Sequence, residues 1–200
     1  MHLSKISILT IVFIFLISAF LPAATITKAS GGSIKTKLSR NIIINDNSSL
    51  MREWITINDD SLPVVISDTV GVKTIYKEGS GYSSGDYQYV SEYSVSAKEA
   101  VSAIEIRFIT FDIWGNYSRN LSSTEIVDMA VGTSKKFNPS WSVFSENEVS
   151  EFYASIAYIA QVRTQSGKVI KADPSVILAE AKKFSTKFSE DDLDPKQIKK

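Results

Sequence analysis

Apolar residues recur mostly at every second position of this chain, which is the spacing of a strand with one buried face. The alternation begins at Ile34 and continues through segments rich in β-branched and aromatic residues, which Gly, Asn, Asp and Ser separate. Many short strands with turn residues between them, followed by one late helix, predict a mostly β protein built as a β-sandwich.

The segment 104–115 (IEIRFITFDIWG) departs from simple alternation, because its apolar face changes halfway along. The apolar residues fall first on even and then on odd positions: Ile104, Ile106 and Phe108, followed by Ile109, Phe111 and Ile113. Either an extra residue near Phe108 forms a bulge, or the opposite sheet covers one face and the terminal helix the other. We favour the second interpretation, because the helix has an apolar stripe that must be buried. Glu105 and Arg107 share a face, and we expect them to form a local pair.

A C-terminal amphipathic helix is predicted over 174–188. Asp173 suits its N-cap, and Pro174 suits its first position. One apolar stripe runs along the predicted helix: Ile177, Ala181, Phe184 and Phe188. The residues after it, 189–200, are predicted to form a charged tail.

The segment before this helix is ambiguous. Ser145 and Glu148 match a capping box, which predicts a short helix near 146–152. Residues 149–164 fit both a helical stripe and strand alternation, and we predict a helical turn to about Phe152 with a strand after it. Residues 165–167 then predict the turn of a hairpin.

Residues 1–24 are typical of a secretory signal peptide. Lys5 precedes an apolar run that is shorter than the roughly 20 residues that span a bilayer. We expect cleavage after Ala24 or as late as Ala29, and no stable membrane span afterwards. Residues 25–33 are predicted to be a flexible lead-in to a domain over 34–188. The chain is therefore expected to be exported, to the periplasm or the extracellular space.

The charge and the rare residue types restrict the chemistry. The chain has 22 basic and 22 acidic side chains, no cysteine, and one histidine, which is His2 in the predicted signal peptide. After cleavage, catalysis by histidine or cysteine is excluded, and a zinc or copper site is disfavoured. We therefore predict that the protein is not an enzyme and has no cofactor and no metal. The balanced charge gives no field for nucleic acid, so no nucleic-acid partner is expected.

Four segments carry a resemblance to a known class: AIEIRFITFDIWG, EIVDMAVG, SWSVFSENE and SIAYIAQVRTQSGKVIKAD. One strand ends in an Asp-x-Trp-Gly turn, a short strand ends in Gly, and a third leads through Gly into a hairpin. Over roughly residues 85–173 this pattern resembles immunoglobulin-like β-sandwich domains of exported bacterial proteins without assigned function. The chain lacks the cysteine pair of antibody-type domains. The resemblance implies the sandwich fold and brings no catalytic residues.

Two groups of residues are candidates for a binding surface. Tyr87, Tyr89 and Tyr93 share one face of a strand predicted over 85–97, where they form either an aromatic platform or, as we prefer, part of the core. The second group lies in a polar loop, a place where residues often contact partners: Trp114, Asn116, Tyr117, Arg119 and Asn120. In the alternative interpretation, Trp114 closes the end of the core.

We therefore expect an exported, non-enzymatic β-sandwich that acts as a protein-interaction or structural module at the bacterial cell envelope. Its partner would be another envelope or extracellular protein. One alternative is a carbohydrate-binding module, which would present exposed, coplanar Tyr and Trp rings. A second alternative is a carboxylate-based hydrolase, which would pair Asp112 with another acid about 5 to 10 Å away.

Overall fold

The computed structural model describes residues 24–34, 49–79, 81, 85–143 and 149–195. Within these residues the chain forms twelve β-strands, the helix α1 (Pro174–Phe184) and a 3-10 turn (Glu190–Asp192). The strands are β1 Ala24–Ser33, β2 Met51–Asp59, β3 Val64–Ile66, β4 Lys73–Lys77, β5 Asp86–Val90, β6 Tyr93–Ala97, β7 Val101–Phe111, β8 Tyr117–Met129, β9 Ser134–Phe137, β10 Ser140–Val143, β11 Ala154–Thr164 and β12 Val169–Lys171. The prediction of a mostly β protein with a late helix is confirmed.

The first layer is a sheet in the order β1-β2-β11-β7-β8, in which β2 and β11 run parallel and the other neighbours run antiparallel. Strand β11 pairs with β7 on one edge, while β2 and then β12 share its other edge. The pairing of β11 with β12 confirms the hairpin predicted at 165–167. Gly167 permits this turn, because its φ of 91° is readily adopted only by glycine.

The second layer consists of two three-stranded sheets, in the orders β3-β6-β9 and β10-β5-β4. The two orders correspond strand for strand, because β3 continues into β4, β5 into β6 and β9 into β10 along the chain. The two small sheets are therefore built from the same three segments of the chain, and each segment is interrupted once. The strand predicted over 85–97 is accordingly two strands, Asp86–Val90 and Tyr93–Ala97, which lie in different sheets.

A hydrophobic core fills the space between the two layers. The first layer contributes Ile104, Ile106 and Phe108 from the even positions of β7, none of which is more than 1% exposed. The second layer contributes residues from both of its small sheets, including Val95 and Tyr89. Two sheet layers packed over a shared core form a sandwich-like arrangement, which confirms the predicted architecture at that level.

A second core lies on the opposite face of the first layer, beneath α1 and the residues that follow it. It joins the odd positions of β7 and one face of β11 to the C-terminal residues: Ile109, Phe111, Ile156, Tyr158, Ile177, Ala181, Phe188 and Leu193. The pairing of β7 with both neighbours is continuous through Phe108 and Ile109, so β7 has no bulge there. The apolar face of β7 changes because both faces are covered, as we expected.

The helix begins where the sequence predicts. Asp173 accepts a hydrogen bond from the Ser175 N–H at 2.9 Å, and this bond lowers the pKa of the Asp173 carboxyl group. The helix ends at Phe184 and not at residue 188. A turn after it brings Phe188 back onto the sheet, where its N–H donates to the Ser185 carbonyl at 3.0 Å.

The structure differs from the sequence prediction at three boundaries. Residues 25–33 are part of strand β1, which pairs with β2, and do not form a separate lead-in. Residues 149–152 contain no helix, and the rest of the helix predicted near 146–152 lies outside the described residues. The folded domain, predicted to end at residue 188, extends to at least Leu193, which packs in the second core and is 7% exposed. Residues 1–23 of the predicted signal peptide also lie outside the described residues.

Replacing Phe188 by Ala should lower the free energy of unfolding by about 3–5 kcal/mol. The reason is that the ring is 2% exposed and lies between Phe111 and Tyr117, with centroid distances of 6.2 and 5.1 Å. Urea denaturation followed by circular dichroism measures the loss. The control is Val131→Ala, at a side chain that is 65% exposed, which should change the free energy by less than about 0.5 kcal/mol. Equal effects of the two variants would show that the C-terminal residues do not cover the sheet.

Candidate functional site

The turn between β7 and β8 holds large apolar side chains in solvent. Within residues 112–116, here called the hairpin tip, Trp114 is 81% exposed and Ile113 is 45% exposed. An indole ring in this position offers a large apolar surface with a polar N–H group. The structure thus excludes the alternative in which Trp114 closes the end of the core.

Asp112 fixes the conformation of the hairpin tip. Its Oδ1 accepts hydrogen bonds from the N–H groups of Trp114 at 2.9 Å and Asn116 at 2.8 Å, and its Oδ2 accepts one from the Asn116 side-chain amide at 3.2 Å. Gly115 has a φ of 78°, and a Cβ at this position would lie 3.1 Å from the Phe184 carbonyl oxygen. The tip is therefore a preorganised turn that rests against the end of α1.

Two further residues of the predicted loop bind the C-terminal residues of the chain. The side-chain amide of Asn120 donates to the carbonyl groups of Asp192 at 3.1 Å and Leu193 at 2.7 Å. The Tyr117 ring packs edge-on against Phe188 with a centroid distance of 5.1 Å. Burial, with a smaller contribution from Asp192, raises the pKa of Tyr117 to about 12. These two side chains are half-buried and stabilise the second core, so they offer little surface to a partner.

Arg119 turns toward the other face of the sheet. Its guanidinium carbon lies 5.6 Å from the centroid of the Tyr89 ring, and its backbone N–H donates to the Thr110 hydroxyl at 3.1 Å. Of the five loop residues that the sequence singled out, Trp114 and Asn116 are the ones exposed at the tip.

The three tyrosines do not form an exposed platform. Tyr89 and Tyr93 are each 2% exposed and belong to the core between the layers. Tyr87 is half-buried, and its ring lies 4.9 Å from that of Tyr76. Burial raises the pKa of Tyr93, whose hydroxyl donates to Glu125 at 3.2 Å. The core interpretation is therefore confirmed for Tyr89 and Tyr93.

A cleft of about 610 Å³ opens where the three segments of the second layer are interrupted. Its walls come from the β3–β4 connection, from the β5–β6 break around Ser91, and from the β9–β10 break at Asn138 and Pro139. Trp54 of β2 also lines it. We call it the strand-break cleft.

Hydroxyl groups of the first layer hold one wall of this cleft in place. The N–H of Val70 donates to the Thr56 hydroxyl at 3.0 Å, and the N–H of Val72 donates to the Ser155 hydroxyl at 3.1 Å. Gly71 lies between them so close to Trp54 and Ser155 that a Cβ would overlap both side chains. Glycine is therefore required for the loop to lie against the first layer.

The strand-break cleft carries charges of both signs. Lys136 and Glu92 form an ion pair at 2.6 Å, and the Lys73 ammonium group lies 5.0 Å from the centroid of the Trp54 ring. Asp68 is a further acid in the lining. Two lysines and two acids give a lining whose formal charges cancel.

The sequence does not predict this cleft, because its walls come from three segments that are distant along the chain. The alternation of β5 runs through Ser91 and Glu92 into β6 with no glycine or proline to mark the break. Asn138 and Pro139 do mark the break between β9 and β10. Nothing in the sequence indicates that the two breaks lie side by side.

A buried ion pair joins the start of β2 to the residues before β11. Arg52 and Glu151 are 5% and 4% exposed. The Arg52 Nε donates to Glu151 Oε1 at 3.1 Å, and its Nη2 makes a second bond to the same oxygen. Its Nη1 donates to the Ser33 carbonyl at 3.0 Å. Burial raises the pKa of Glu151, and Arg52 opposes that rise.

The surroundings of Asp112 bear on the hydrolase alternative. Asp112 accepts three hydrogen bonds within its own turn, which is a structural role. Among the described residues, no group of three or more His, Cys, Asp or Glu side chains is placed to hold a metal ion. In the same residues, no helix has the length and apolar character needed to cross a membrane.

Comparisons with known proteins give no family for the chain. No protein-family model matches it, and no curated protein matches it at a significant level. It is similar to a solved structure of a hypothetical protein from Peptoclostridium difficile 630, with 11% sequence identity and a TM-score of 0.43. That match covers 62% of this chain and 92% of the other.

Arg52→Met should lower the free energy of unfolding by about 3–5 kcal/mol at neutral pH, because it leaves the buried Glu151 carboxylate without its cation. Burial already raises the pKa of Glu151 above its ordinary value of 4.5, and loss of Arg52 raises it further. The folded variant then retains a proton that the unfolded chain releases. Its stability therefore falls as the pH rises above about 4.5, by up to about 1.4 kcal/mol per pH unit.

Urea denaturation at about pH 5 and about pH 7.5 measures this dependence. The matched control is Arg52→Met combined with Glu151→Gln, which removes the titrating group and should have a flatter profile. Equal pH slopes in the single and double variants would contradict the raised pKa of Glu151.

Proposed function

We propose that this protein is an exported, non-enzymatic β-sandwich that binds another protein at the bacterial cell envelope or outside the cell, with the hairpin tip as its contact. The observation that carries the proposal is Trp114, which is 81% exposed on a turn fixed by Asp112. A tryptophan on a rigid turn offers a large contact area at a small cost in conformational entropy. Tryptophan is also enriched among the residues that dominate the energy of protein interfaces.

The available side chains support binding over catalysis. After the predicted signal peptide, the sequence contains neither histidine nor cysteine. Asp112 is the acid that the sequence singled out for a hydrolase, and its carboxylate already accepts three hydrogen bonds in the turn. This weakens the hydrolase alternative. A protein contact requires exposed apolar area and polar groups around it, and the tip has both.

Export is proposed from residues 1–24, whose single early lysine, apolar run and small residues fit a secretory signal. The absence of cysteine means that an exported chain must be stabilised by its core and not by disulfides. The two cores on either side of the first layer supply that stabilisation.

We also propose that the sandwich is immunoglobulin-like. The supporting feature is the pair of strand layers packed over a shared core. Two features would distinguish this protein from antibody-type domains. One is the layer that α1 forms over the first sheet, and the other is the division of the second layer into two sheets.

Trp114→Ala should abolish capture of the partner protein. The chain without residues 1–24 is immobilised and incubated with an envelope fraction of the native host. Bound proteins are then identified by mass spectrometry. Loss of a central tryptophan should weaken the contact by about 30-fold or more. Ile126→Ala, at a side chain that is 89% exposed on β8, is the matched control and should retain the partner. Identical captured proteins for both variants would count against the tip.

The exported chain should begin at Thr25. Residues 24–29 pair with β2, so cleavage after Ala29 would remove the larger part of β1 and expose the β2 edge. N-terminal sequencing of the protein recovered outside the cytoplasm tests this expectation. A chain that begins at Ser30 would contradict the cleavage position, and an unprocessed cytoplasmic chain would contradict export itself.

A further inference from the structure

We propose that the strand-break cleft is a binding site for a neutral oligosaccharide, separate from the hairpin tip. The cleft volume of about 610 Å³ lies within the range of about 300–1,000 Å³ that is usual for small-molecule sites. No residue of the tip lines it, so the two sites can be tested independently.

The cleft is preorganised. The loop that forms one wall is fixed to the first layer by the hydroxyl groups of Thr56 and Ser155. The buried Ser91 hydroxyl donates to the Gly71 carbonyl at 3.0 Å and joins this loop to the β5–β6 break. A ligand that enters a fixed cleft does not have to order its walls, which favours binding of small polar molecules.

The polar groups of the cleft match the hydroxyl groups of a sugar. Asp68 and Glu92 are acceptors, whereas Lys73 and Lys136 are donors. A sugar hydroxyl donates one hydrogen bond and accepts others, so it can pair with either type. The two acids and two lysines of the cleft cancel in charge. A charged ligand would lie near two side chains of its own sign, so a neutral ligand is favoured.

Trp54 supplies an aromatic surface on which a sugar ring can pack. Gly31 and Gly71 lie against its five-membered ring, since a Cβ at either position would overlap the Trp54 Nε1. The ammonium group of the exposed Lys73 lies 5.0 Å from the ring centroid. An exposed cation–π contact is weak. The apolar face of a pyranose can therefore take this position, while Lys73 donates to one of its hydroxyl groups.

An extended peptide fits the same cleft less well. Peptides that bind at interrupted sheets usually add a strand by pairing with free backbone groups. At these breaks the Ser91 N–H already donates to the Pro139 carbonyl at 3.2 Å, and the Ser67 N–H donates to the Ser94 carbonyl at 2.9 Å. The backbone across the breaks is thus partly occupied, and side chains provide the recognition.

The chain without residues 1–24 is titrated with three trisaccharides, maltotriose, cellotriose and triacetylchitotriose, and separately with the tripeptide Ala-Ala-Ala. Isothermal titration calorimetry measures the affinity, and NMR follows the three indole N–H resonances. The Trp54 resonance is assigned by elimination with Trp114→Phe and Trp141→Phe. We expect at least one trisaccharide to bind with a dissociation constant below about 10 mM. Its binding should shift the indole N–H resonance of Trp54.

Asp68→Ala and Lys73→Ala should each weaken that binding by about tenfold or more, because each removes a charged hydrogen-bond partner. Asp128→Ala, an exposed acid on β8 outside the cleft, is the matched control and should bind as the unaltered chain does. Trp114→Ala should also leave the affinity unchanged, which separates this site from the proposed protein contact.

Four results would overturn the proposal. They are no binding of any of the three trisaccharides, unchanged affinity in both cleft variants, a shift confined to Trp114, and equal or tighter binding of the tripeptide Ala-Ala-Ala. Unfolding midpoints of all variants are measured in parallel, so that a lost fold is not mistaken for a lost site.

Discussion

Strands β7 and β11 are buried on both faces, and this burial governs the layered architecture of the protein. All six residues from Ala154 to Ile159 in β11 are buried, and β7 ends in four consecutive buried residues, Phe108 to Phe111. Strands of this kind cannot lie at a surface, because either apolar face would contact water. They require a layer on each side, and the chain supplies one as a split sheet and the other as α1 with the residues after it.

The outer layer is small, and polar contacts hold it in register. An 11-residue helix is marginal alone, so its stability comes from the sheet beneath it. Beyond the helix, the Leu193 carbonyl accepts hydrogen bonds from Arg107 at 2.6 Å, Asn120 at 2.7 Å and Tyr158 at 3.3 Å. The bond to Leu193 explains why Asn120, which the sequence placed in a candidate binding loop, faces inward. They also leave the hairpin tip as the part of that loop that is free to contact a partner.

The opposite layer provides the cleft because its strands do not continue. The inner face of β2 is polar at Thr56 and Asn58, which bond to backbone groups of the loop after β3 and of β3 itself. Side chains of the first layer therefore satisfy backbone groups of the second layer that a neighbouring strand would otherwise pair with. A cleft forms at that level, lined by groups from three segments, and the two proposed sites lie where the sandwich pattern ends or is interrupted.

The β class, the hairpin at 165–167, the N-cap at Asp173 and the pair of Glu105 with Arg107 (2.7 Å) could be predicted from the sequence. Burial of both faces of β7 was the favoured of two interpretations. All of these depend on neighbours close in the chain or on the period of apolar residues, which physical chemistry relates directly to local structure. Other features follow from long-range contacts: the strand in residues 25–33, the break after Val90, the inward position of Asn120 and the strand-break cleft. Each depends on groups distant in sequence, such as β2 for β1 and Leu193 for Asn120, and no local pattern specifies which distant segment will supply a partner.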